Sequence, residues 1–95
     1  MTYRVKDEYV LKTVAGEHIV VPVGSEAVKF HGMISLNETG MFLFSLLKEK
    51  KTLEDLVRAV LDEYEINVEL AYKDVLDFIE KLDEHRILEH FDWKA

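Results

Sequence analysis

Ninety-five residues make one domain with a single modest core, and a chain that is 48% hydrophobic and 33% charged is not a disordered one. The absence of cysteine excludes disulfides and thiolate metal sites, and no apolar run approaches the roughly 20 residues that span a bilayer. The net charge of −7 is unevenly placed: residues 1–51 carry seven Lys/Arg against six Asp/Glu, residues 52–95 five against thirteen. The second half of the chain is therefore acidic. Met1-Thr2-Tyr3-Arg4 opens no signal peptide, so a cytoplasmic domain without a membrane partner is expected.

Residues 1–7 read as a polar, frayed lead-in. Tyr9–Val14 is rich in β-branched and aromatic residues and predicts a first strand, 9–14. Ala15-Gly16-Glu17 reads as a tight turn, and His18–Val23 as a second strand whose Pro22 cannot donate to a ladder. A third strand is expected over about 30–36, with a bulge at Gly32. Asn37 ends its alternation with a side chain able to cap a helix, and Glu38 follows where a carboxylate meets the positive helix end. From Phe42 to Leu47 the run is apolar almost all the way round, the mark of a helix buried on most sides, predicted over 38–49. Thr52-Leu53-Glu54-Asp55 starts a second helix, 53–64, with Leu53, Leu56, Val57, Val60, Leu61 and Tyr64 on one stripe. Asn67 caps a third helix, 68–86, with Ala71, Val75, Phe78, Ile79 and Leu82 on one face. Ile87-Leu88 and Phe91-Asp92-Trp93 read as a short tail packed back on the domain.

The expected order is βββααα: an α+β fold with a three-stranded antiparallel sheet followed by three helices, like a helix-turn-helix with a winged sheet in front. No catalytic set emerges. The sequence has no Gly-x-Ser-x-Gly elbow and no phosphate-binding glycine loop, and its carboxylates fall on solvent faces. His18, His31, His85 and His90 do not follow a metal-ligand pattern, so neither metal nor cofactor is expected.

A winged helix suggests DNA, and the charge argues against it. The third helix holds Glu69, Asp74, Asp77, Glu80, Asp83 and Glu84 against Lys73, Lys81 and Arg86, where phosphate contacts need cations. A small sheet also leaves an edge whose unpaired N–H and C=O groups an extended peptide can complete. With the third strand as that edge, the peptide lies beside residues 32–36 and the third helix forms the other wall. Residue by residue, Val75, Phe78 and Leu82 read better as plain core, so the groove rests on topology more than on any one side chain.

Leu36-Asn37-Glu38-Thr39-Gly40, followed by an apolar helix, resembles the PqqD family (pyrroloquinoline quinone synthesis protein D), domains also called RiPP recognition elements. The likeness runs from Tyr9-Val10-Leu11-Lys12 through Ile19-Val20-Val21-Pro22 and Thr52–Val57 to Phe78–Leu82 and Ile87-Leu88. The resemblance implies a non-catalytic single domain, 1–95. Such a domain binds the leader of a ribosomally made precursor peptide and presents it to a modifying enzyme, often a radical SAM protein. It also implies a peptide site made of Met33, Ile34, Ser35 and Leu36 on the strand and Ala71, Asp74, Val75, Phe78 and Lys81 on the helix. The alternatives are a winged-helix regulator and an obligate structural subunit of an enzyme complex.

Overall fold

The computed structural model describes residues 1–24 and 34–91. Its strands are β1 (Thr2–Val5), β2 (Tyr9–Val14), β3 (Glu17–Pro22), β4 (Ile34–Leu36) and β5 (Leu88–Phe91). Its helices are α1 (Glu38–Leu46), α2 (Leu53–Glu63) and α3 (Val68–Glu84). The antiparallel sheet β2-β3-β4 and the three helices give an α+β fold.

Ala15 and Gly16 both take left-handed backbone angles, φ 52° and φ 81°. Two such residues make the two-residue loop whose twist matches its strands, so Val14 faces Glu17 and the β2–β3 register follows.

The lead-in is not frayed. β1 pairs antiparallel with β5 in a second sheet, from Thr2 opposite Phe91 to Val5 opposite Leu88. On its other side the Tyr3 N–H donates to Lys51 O at 2.8 Å and the Val5 N–H to Leu47 O at 2.7 Å. Arg4 meets Glu89 at 3.1 Å and stacks over the Phe91 ring, which Lys50 also approaches at 4.1 Å. Every partner lies far along the chain, so the local composition of residues 1–7 carried no sign of it. The tail is correspondingly a strand as far as Phe91. The expected bulge at Gly32, and Asp92 and Trp93 of the tail, lie outside the described residues.

Each helix begins on a side-chain cap. The Gly40 N–H donates to Asn37 Oδ1 and the Leu70 N–H to Asn67 Oδ1, both at 2.8 Å. Thr52 and Asp55 cap α2 reciprocally at 3.0 Å, and the Thr52 N–H that Asp55 accepts holds its carboxyl below the usual range. α1 and α3 stop short of the expected Glu49 and Arg86. At the end of α3, Arg86 takes φ 57° while its N–H bonds Asp83 O and that of Ile87 bonds Leu82 O, both at 3.0 Å. This is the paired-bond helix stop that glycine ordinarily makes, here with arginine in the left-handed position. Ile87 and Leu82, both fully buried, seal it.

The core gathers Leu43, Phe44 and Leu47 around α1, Leu56, Val57 and Val60 from α2, and Ala71, Val75, Ile79 and Leu82 from α3. Val20, Ile34 and Leu36 enter from the sheet. Leu43, Phe44 and Leu47 have no exposed surface at all, as a run apolar on all sides demands. α1 packs against α2 and β4.

Candidate functional site

The parity of β3 decides which backbone groups of β4 are free. The two-residue loop makes Val14 and Glu17 a hydrogen-bonded pair, and such pairs alternate along an antiparallel ladder. Residues 17, 19 and 21 of β3 therefore bond to β2, and residues 18 and 20 bond to β4. Across from them, His18 faces Leu36, Val20 faces Ile34, and Ile19 faces Ser35. Ile34 and Leu36 are thus the hydrogen-bonded positions, and Ser35 turns both its N–H and its C=O to the open edge. A second observation agrees: the Lys81 ammonium of α3 donates to Ser35 O at 3.0 Å. Side chains follow the same alternation, with Ile34 and Leu36 buried and Ser35 exposed.

α3 borders that edge, and between the two lies a cleft of about 260 Å³. Leu36, Leu43 and Phe78 are its apolar lining, Asn37, Thr39 and Gly40 close it at the start of α1, and Asp74, Asp77 and Lys81 are its charged rim. Those three and Phe78 follow i, i+3, i+4, i+7 spacing on one ridge of α3. Leu70, 42% exposed, continues the ridge one turn before Asp74. Lys73 pairs with Asp77 at 3.0 Å, both side chains largely exposed.

Gly40 is what lets the walls meet. A Cβ there would stand 3.2 Å from Asn37 Oδ1, 3.3 Å from Leu36 Cβ and 3.4 Å from Phe78. Its N–H also receives the cap, a bond of a kind that contributes about 1 kcal/mol to helix stability. The Leu-Asn-Glu-Thr-Gly segment is thus a joint that sets one end of the cleft against α3.

Of the nine residues expected at a peptide site, Leu36, Asp74, Phe78 and Lys81 line the cleft and Ser35 is its exposed backbone edge. Ile34 is buried on the core side of β4. Ala71 and Val75 have no exposed surface and belong to the core. Met33 lies outside the described residues. Sequence reasoning passed over Thr39, Leu43 and Asp77 as cleft residues. The ridge spacing on α3 could have found Asp77; Thr39 and Leu43 are visible only once α1 is docked. His85 and His90 go separate ways, His85 to Lys81 O at 3.0 Å and His90 to Asp83 at 2.7 Å. Among the described residues, no group of three or more His, Asp or Glu is placed to hold a metal ion.

Residues 17–88 match the family of coenzyme PQQ synthesis protein D (PqqD). The chain belongs to the PqqD family. No protein of curated function matches it in sequence. Among solved structures it is similar to TbiB1, seen in complex with the TbiA(beta) leader peptide, at 24% identity and TM-score 0.72 over 94% of this chain and 98% of that one. It is also similar to a lasso peptide synthetase B1 complexed with its leader peptide, at 17% identity and TM-score 0.71, over 93% of this chain and 98% of that one. A third likeness is the PqqD part of Methylobacterium extorquens PqqCD, a stand-alone RiPP recognition element: 15% identity, TM-score 0.71, over 94% and 89% of the two chains. At these identities the shared property is the fold, which this PqqD-family chain shares over 93–94% of its length.

Proposed function

We propose that this chain is a non-catalytic adaptor that binds the leader of a ribosomally made precursor peptide and presents it to a modifying enzyme, of radical SAM or another type. The observation that carries the reading is the open edge at Ser35 beside a cleft under α3 whose mixed lining includes Leu36 and Phe78. An extended leader adds there as a further strand, its backbone pairing with Ser35 N–H and C=O. An apolar side chain of the leader packs against Leu36 and Phe78, with buried Leu43 behind them, and Asp74 on the rim favours a basic neighbour. Ile34 and Leu36 would serve by holding the strand in register, Ala71 and Val75 by seating α3 against it. The two solved relatives bound to leader peptides share the fold, which supports the same use of it here.

The nucleic-acid reading has less support. Of the two lysines on α3, Lys73 is held by Asp77 and Lys81 by Ser35 O, while acidic side chains crowd the same helix. No described helix is long and apolar enough to cross a membrane, and a cytoplasmic site of action suits an adaptor to a newly made precursor.

The test is calorimetric titration with synthetic leader peptides from short open reading frames beside the gene. A scrambled peptide and a DNA duplex serve as comparisons. One leader is expected to bind in a one-to-one complex and the scrambled peptide not to. Duplex binding that falls steeply with salt, with no leader bound, would overturn the proposal.

A further inference from the structure

The hydrogen bond from Lys81 to Ser35 O has a role of its own. It occupies the one outward-facing carbonyl among the described residues of β4, the acceptor that any added strand requires. Open edges pair with other chains unless something covers them, and lysine is a common cover. A peptide strand cannot donate its N–H to Ser35 O in good geometry while the ammonium sits there.

The ammonium also has somewhere to go. Asp77 lies one turn before Lys81 on the same ridge, and an acid four residues N-terminal to a lysine is the better orientation of such a pair. At present Asp77 is taken by Lys73, the poorer orientation, in an exposed contact that is easily exchanged.

The geometry points to Lys81 as a removable cap on the β4 edge: it keeps the free chain from pairing with a second copy and moves to Asp77 when a peptide strand arrives. The part concerning the leader rests on the function proposed above; the part concerning a second copy does not.

Lys81→Met keeps the apolar stem and removes the donor, and Lys48→Met makes the same change of net charge at an exposed position just past α1, leaving the Lys73–Asp77 pair intact. Sedimentation velocity from micromolar to millimolar protein is expected to show a concentration-dependent dimer for Lys81→Met. Wild type, Lys48→Met and the double variant Lys81→Met/Ser35→Pro are expected to remain monomeric. A Lys81→Met protein as monomeric as wild type would overturn the cap, as would equal dimerisation of Lys48→Met. Any leader that binds wild type is expected to bind Lys81→Met about three- to tenfold more tightly, the range expected when one exposed hydrogen bond no longer has to be broken. Weaker binding would make Lys81 a peptide contact and overturn the cap. If no leader binds either protein, the adaptor reading fails and the dimer measurement still decides the cap.

Discussion

Ser35→Pro is expected to weaken leader binding about thirtyfold or more while leaving the chain folded. Proline removes the outward N–H and sets a ring where the incoming strand must lie. The leader carbonyl that would have met that N–H is then stranded at a partly desolvated edge, at roughly 2 kcal/mol. The fold is expected to survive because Ser35 contributes no hydrogen bond to β3; that ladder runs through Ile34 and Leu36. Ile34→Pro is the informative contrast. It removes a ladder donor facing Val20, so its loss of binding accompanies loss of structure. Titration of Ser35→Pro, with circular dichroism of the same sample, separates the two effects. Unchanged affinity in a folded Ser35→Pro protein would rule out strand addition at this position.

Phe44→Ala is expected to have the largest effect on stability. Phe44, on α1, has no exposed surface and is the largest of the fully buried side chains among the described residues. Truncating such a ring costs about 3–5 kcal/mol, against a total of about 5–15 kcal/mol for a domain of this kind. A fall in melting temperature of about 15–30 °C follows for a domain of this size. Leu76→Ala on α3, where Leu76 is 49% exposed, should change stability by no more than about 0.5 kcal/mol. Thermal unfolding of both variants checks the pair. Phe44→Ala is also expected to weaken leader binding, because the same helix carries Gly40 and Leu43 into the cleft. A Phe44→Ala protein that melts within a few degrees of wild type would contradict the full burial of Phe44 in the core.

Where a signal was local, the sequence showed it plainly. Asn37, Thr52 and Asn67 each cap the helix they announce, since a cap needs only a side chain and an N–H three residues on. The amphipathic stripe of α2 and the all-round apolar run of α1 marked their burial for the same reason. β1 was invisible because both of its neighbours are remote: β5 lies at the other end of the chain, and residues 47–51 follow a helix. Arg86 hid the end of α3, where a glycine would have declared it.

The candidate cleft was legible in part, and for a definite reason. Periodicity marks one face of a helix as apolar without telling groove from core, and the family resemblance put Ala71 and Val75 on the groove wall although neither has exposed surface. The flank carrying Asp74, Asp77 and Lys81 is charged, and charge alone does not tell a rim from a solvated face. What sets it beside the sheet edge is Lys81 at Ser35 O, a contact across 46 residues that no local window contains. The parity of β4 was accessible earlier, because the Ala15-Gly16 loop and the strand spacing determine it together.

Amide hydrogen exchange at Ser35, followed by NMR with and without a saturating leader peptide, tests strand addition most directly. The account predicts that the Ser35 amide exchanges freely in the unbound chain and becomes strongly protected in the complex. The amides of Ile34 and Leu36, already bonded to β3, should change little. A leader that binds tightly while Ser35 continues to exchange as in the free chain would contradict it.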